Sequence, residues 1–253
     1  AMAAAELASL KDWRKTEASA DAIAQVWAVR NTPQIYDAQF KVAVLGSPAA
    51  GKTACVRRLC GLPQSEYSPT IGMEVQEARW PVRHMDSVVV VRLDFWEAGA
   101  TSAQRFEYLR GAQAEDAGVI LHVLSLCDED GFNDLGAELS SGSRLPAILV
   151  VTHVEDLQLR QLTMAQVSEL AQRHALPCVL LRRALAEQEL HGKVDVAPTQ
   201  DVVEILDALC AQLSPKWQDG AARAARGLSA SASLVSNFTT STSAASFISG
   251  GHE

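Results

Sequence analysis

GSPAAGKT, residues 46–53, decides how this chain folds. It satisfies the pattern GxxxxGK[ST], and its surroundings have the order that pattern requires: a strand-like run FKVAVLG (40–46), a Gly-rich turn, then a helical stretch over 52–61. Gly46 and Gly51 let the backbone curl so that successive N–H groups face inward as an anion nest. A helix beginning near Lys52 adds its positive end. Gly46, Ser47, Pro48, Ala49, Ala50, Gly51, Lys52, Thr53 and Ala54 therefore form a predicted phosphate cradle. Lys52 is expected to reach the β- and γ-phosphates and the Thr53 hydroxyl to ligate Mg²⁺. Pro48 has no N–H and a fixed φ beside the γ-phosphate position, and Ala49 adds a methyl where Gly is easiest.

Outward from that loop, apolar and amphipathic segments alternate. MEVQEARW (73–80) and SVVVVRLDF (87–95) read as two strands joined near Arg83–Asp86. VILHVLSL (119–126) and AILVVTH (147–153) are apolar runs of strand length, read as buried on both faces as in a parallel sheet, and CVLL (178–181) is a last short strand. Phe132, Leu135 and Leu139 mark one helix, and Met164, Val167, Leu170 and Ala171 another. Val202, Val203, Leu206, Leu209, Cys210 and Leu213 mark a closing one. The order βαββαβαβαβα predicts an α/β domain with a mostly parallel six-stranded sheet flanked by helices, over residues 39–213. Residues 1–38 are expected to form a helical extension, with Ile23, Val26, Trp27 and Arg30 at helical spacing and Pro33 ending the helix. Residues 214–253 are rich in Ser, Ala and Thr and read as a flexible low-complexity tail.

Composition narrows the partners. A formal net charge of −8 gives no basic footprint for nucleic acid. Five cysteines, odd in number and without a CxxC pair, read as reduced, buried thiols of a cytoplasmic protein. No apolar run is long enough to span a membrane, the N-terminal stretch lacks a secretory pattern, and GGHE is not a prenylation box. No HxxxH or CxxC spacing suggests a protein-held metal cluster, so nucleotide-borne Mg²⁺ is the metal expected. His122 and His174 read as core or surface residues, and Arg57 and Arg58 as a solvated face.

A phosphate loop alone does not choose between ATP and GTP; three later stretches bear on that. YSPTIG (67–72) follows the first helix of the domain, and its wording looks like switch I of Rab- and Ras-like small GTPases. There the Thr, here Thr70, closes on Mg²⁺ and the γ-phosphate. FWEAGA (95–100) stands where such proteins read WDTAGQ. Two registers are open. Glu97 takes the Asp role, holding Mg²⁺ through water, with Gly99 as the γ-phosphate glycine; or Asp94 takes it. Both leave Ala100, and no Gln, after the Gly. Gln104-Arg105-Phe106 echoes the family's next residues, several positions too late. HVED (153–156) stands for NKxD, with Asp156, or alternatively Glu155, as the guanine-binding acid and His153 in the Asn position. Ala184, in LRRALAE, is the candidate third base contact.

The shortened FW-acid-x-G turn, Trp80-Pro81, Leu176-Pro177 and an N-terminal extension with Trp13 resemble the Rsg-type (Rem/Rab-like) small GTPases of the CPLANE ciliogenesis and planar polarity effector complex, over residues 12–213. The resemblance implies GTP or GDP with Mg²⁺, Fuzzy- and Inturned-like protein partners, and a place at the ciliary basal body. With no Gln at the water-positioning site, a nucleotide-gated binding module with weak hydrolysis is expected. A working GTPase completed by a partner, and a structural pseudo-GTPase, are the alternatives.

Overall fold

In the computed structural model, residues 2–28, 38–64, 68–84, 87–142, 145–183 and 197–214 are described. The expected tail, beyond Ser214, and Ala184 lie outside them. Strand β1 (Ala38–Leu45) runs into the phosphate loop and helix α3 (Lys52–Leu59) leaves it. Strands β2 (Met73–His84) and β3 (Ser87–Ala98) form a hairpin. Short helices α4 (Ala100–Arg105) and α5 (Glu107–Ala114) lead to β4 (Val119–Ser125). Then follow α6 (Glu129–Ser140), β5 (Ala147–Thr152), α7 (Met164–Arg173), β6 (Cys178–Leu180) and a closing helix, α8, over 200–214. The strands form one sheet in the order β2-β3-β1-β4-β5-β6; β2 is antiparallel to β3 and every other pair is parallel.

The apolar runs behave as their composition requires. Every residue of β4 and β5 is buried. Leu124, Leu149 and Val151 meet Leu135, Val167, Leu170 and Ala171 of α6 and α7. The alternate residues Leu121, Val123, Ile148 and Val150 are equally buried, so both sheet faces are covered. Local signals set the helix ends: the Asp128 carboxylate accepts the Gly131 N–H, and Thr163 with Gln166 forms a capping box for α7.

The N-terminal region holds two helices, α1 (Met2–Trp13) and α2 (Glu17–Ala28), where one was expected. They pack against β2. Leu10, Trp13, Val26 and Trp27 are buried, and Trp27 meets Trp80 edge-on at 6.2 Å. Arg14, from the turn between them, donates through Nε and Nη2 to Asp207 of α8 at 2.9 and 2.6 Å. Its Nη2 also donates to the Pro81 carbonyl, and Trp80 Nε1 donates to Asp207 at 2.7 Å. The guanidinium lies over the Trp13 and Trp80 rings. Pro81 is tolerated because β2 is an edge strand. Arg58 is not on a solvated face: it reaches Thr199 and Asp201 and so ties α3 to α8. Cys55, Cys60 and Cys210 are buried thiols, with Cys55 pushed up to about 12 by burial, whereas Cys178 is exposed, contrary to expectation. Among the described residues no helix is long and apolar enough to cross a membrane.

Candidate nucleotide site

The phosphate loop is wedged between the ends of β4 and β5. Gly46 has φ +152°, and a Cβ there would lie 2.3 Å from the Val123 carbonyl oxygen, so only glycine fits. Gly51 caps α3 at φ 87°. Ala49 has φ 59°, a strained value for a residue with a side chain. The Thr152 hydroxyl at the end of β5 donates to the Ala50 carbonyl at 2.7 Å, and Ser47 Oγ donates to the Asp128 carboxylate. Nothing in the sequence pattern singled out Thr152 or Asp128, because the contacts join residues far apart in the chain. Lys52 is buried and its Nζ donates to the Gly46 and Ser47 carbonyls at 2.9 and 2.7 Å. Burial pulls its ammonium below the usual lysine range, opposed by the charge of Glu97.

This loop forms one wall of a cavity of about 490 Å³; residues 68–70 and Glu97, Gly99, Ala100 and Thr101 line the rest. Thr53, Thr70 and Glu97 converge at its floor. Thr53 Oγ1 donates to Glu97 Oε1 at 2.7 Å and lies 3.0 Å from Thr70 Oγ1. Burial pushes the Glu97 carboxyl above the usual range, and the Thr53 hydrogen bond and Lys52 charge work against that rise. Asp94 is three residues earlier and therefore on the opposite face of β3. Its carboxylate is bonded by Gln39 and Arg92, away from the loop. Two other contacts hold this register: Gln113 Nε2 donates to the Val44 and Trp96 carbonyls, and Lys41 Nζ sits 4.0 Å over the Trp96 ring.

Gly99 is needed for a different reason. A Cβ there would come within 1.9 Å of the Thr70 carbonyl oxygen, so the two switch-like segments touch only because this residue has no side chain. The Gly99 N–H donates to the Gly72 carbonyl, and the Gly72 N–H to Ser102 Oγ. A γ-phosphate would have to share or displace the first of these bonds.

At the base end, His153 has φ 54° and its Nδ1 lies 2.8 Å from Ser125 Oγ. Arg183 Nη2 donates to both Asp156 oxygens at 3.2 and 3.4 Å, and the Arg183 N–H donates to Glu155. Both candidate acids are thus engaged by one residue that the sequence reading passed over.

A family model described as the Ras family matches residues 41–187, more than half of the chain. The chain belongs to the Ras family, whose G domain implies guanine nucleotide, usually with Mg²⁺. Ciliogenesis and planar polarity effector 2 of Mus musculus is 27% identical over 70% of this chain and 72% of its own length. The Homo sapiens protein of that name is 29% identical over the same shares. The one from Xenopus tropicalis is 33% identical over 41% of this chain and 42% of its own. The resemblance drawn from the shortened turn points to the same proteins.

Proposed function

We propose that the chain binds GTP or GDP with Mg²⁺ and acts in cilium assembly as a nucleotide-gated protein-binding module that hydrolyses GTP slowly. The convergence of Thr70 and Glu97 on Thr53 at the mouth of the phosphate loop carries this reading. These residues fit the metal chemically: two hydroxyls and a carboxylate are hard oxygen donors of the kind Mg²⁺ takes. Bound there, Mg²⁺ would offset phosphate charge. Thr53, Thr70 and Glu97 would hold it, and the loop N–H groups and Lys52 would hold phosphate oxygens.

Slow hydrolysis follows from what stands at the turn. Ala100 lines the cavity after Gly99 and carries no group to orient water. Elsewhere a Gln orients the attacking water, and an Arg supplied by a partner is worth about 10³–10⁵ in rate. The cilium setting is supported by the names of the relatives, and Fuzzy- and Inturned-like partners at the basal body are what the resemblance implies. Ile71, Phe106 and Tyr108, exposed apolar side chains near the switch-like segments, suit a partner surface.

Thermal denaturation with GTP, GDP and ATP, each with Mg²⁺, tests the binding. Guanine nucleotides should raise the midpoint, by about 2.7 kcal/mol of stability at a hundredfold excess over Kd, and ATP should not. Single-turnover hydrolysis should run at or below about 10⁻⁴–10⁻³ s⁻¹, the unassisted small-GTPase range. No response to any nucleotide, or a fast unassisted rate, refutes the proposal. One observation favours a pseudo-GTPase instead: Arg183 already occupies Asp156. The pair is exposed, and such pairs are worth about 0–1 kcal/mol, too little to exclude a guanine base.

A further inference from the structure

Glu97 differs from an aspartate at that place by one methylene, a reach longer by about 1.5 Å. An aspartate would stop short of Thr53 and leave room for a water between carboxylate and metal. Glu97 closes that space: its Oε1 is 2.7 Å from Thr53 Oγ1 and 3.5 Å from Thr70 Oγ1, and the two hydroxyls are 3.0 Å apart. Mg²⁺ binds oxygens at about 2.0–2.1 Å in an octahedron, so adjacent ligand oxygens stand about 2.9 Å from each other. Two of the three separations match that edge within a few tenths of an ångström, and the third needs to close by about half an ångström.

We infer that Glu97 ligates Mg²⁺ directly, forming with the Thr53 and Thr70 hydroxyls one triangular face of its coordination shell. The inference rests on the nucleotide-binding reading and departs from the water-mediated role expected of Glu97. The three oxygens come from three elements: the start of α3, the segment before β2 and the end of β3. The opposite face is left to phosphate oxygens and water. The metal would then sit against a formal charge in its first shell, and the segment carrying Thr70 would be held through the same ion.

The test uses the full chain loaded with GDP or a non-hydrolysable GTP analogue, with Mn²⁺ in place of Mg²⁺. Line broadening of the Mn²⁺ EPR spectrum in ¹⁷O-enriched water counts water ligands. Wild type should hold one water fewer than Glu97→Asp, whose shorter side chain readmits one. In protein labelled with ¹³C at the glutamate carboxyl, ENDOR should show a strong coupling from a carbon directly beside the metal, lost in Glu97→Gln if the amide leaves the shell. Should either variant fail to fold, the wild-type carbon coupling alone decides. Equal water counts in wild type and Glu97→Asp, or a carbon signal of second-shell strength only, overturn the inference while leaving nucleotide binding intact. Failure of the wild type to bind nucleotide at all overturns the reading of the site and this inference with it.

Discussion

Replacing Asp207 with Ala should cost this protein more stability than any surface change. Its carboxylate is the shared acceptor of Arg14 Nε, Arg14 Nη2 and Trp80 Nε1, all at 2.6–3.1 Å. The Asp207 side chain is 4% exposed and that of Arg14 10%. Loss of the carboxylate leaves a guanidinium in the interior whose remaining acceptors among the described residues are Ser19 Oγ and the Pro81 carbonyl, and removes the indole N–H's acceptor. Removing one partner of a buried pair costs about 3–5 kcal/mol, mostly through the charge left behind. That is a fifth or more of a stability of about 5–15 kcal/mol. With a urea slope of about 2–3 kcal/mol/M, the unfolding midpoint should fall by about 1–2.5 M at fixed GDP and Mg²⁺. The double variant Arg14→Met with Asp207→Leu should regain much of the loss, because neither charge is stranded. Trp80→Phe, which removes only the indole donor, should cost about 1–3 kcal/mol. A loss below about 1 kcal/mol in Asp207→Ala, or a double variant no more stable than the single, refutes the account.

Gly46→Ala should weaken GDP binding at least about tenfold in calorimetry, since the strained φ alone costs about 1–3 kcal/mol and the new Cβ collides with the Val123 carbonyl. Unchanged affinity would contradict the loop geometry. Arg183→Ala should tighten guanine nucleotide binding by up to about fivefold, the worth of an exposed ion pair removed from competition; weaker binding would mean that Arg183 holds the nucleotide. His122, buried in β4, is held down to about 4 by burial. The unfolded chain therefore binds the extra proton between pH 6.5 and 4, and stability should fall over that window as pH drops, by up to about 3 kcal/mol. His122→Leu should flatten that part of the pH profile of urea unfolding. Ala100→Gln alone should leave single-turnover hydrolysis slow, because the turn before it is one residue short of the family's wording; a rise of about a hundredfold would show that the Gln was the only missing part.

The centre of the sheet could be read from the sequence because β4 and β5 are buried on both faces and so show as mostly apolar runs. The strand–turn–helix around Gly46 was legible for a similar reason: few sequences meet all its steric demands at once. Helix α1 was missed because its Ala-rich stretch carries only a weak apolar stripe, and what fixes it is Trp13 and Leu10 against the G domain. Wording could not separate Asp94 from Glu97; pleat alternation in β3 puts them on opposite faces, with Glu97 beside Thr53 and Asp94 on Gln39 and Arg92. Arg183 on Asp156 and Arg14 on Asp207 left no local trace, because no periodicity links residues so distant. Sequence reading took Arg58 for a surface residue; its acceptors come from the far end of the domain.

That distance also governs timing. Arg14 and Asp207 are 193 residues apart, so during synthesis the first helices leave the ribosome long before their acceptor exists. Trp27 can meet Trp80 once β2 exists, but Arg14 lacks its carboxylate partner until α8 has been made. A contact that closes so long a loop forms late, after the sheet has collapsed. A contact absent from the folding transition state should, when weakened, speed unfolding while hardly slowing folding, which the two arms of the chevron for Asp207→Ala will show. Asp207 is in that sense a latch on lifetime: it sets how long a finished molecule stays folded, and has little say in how quickly one is made.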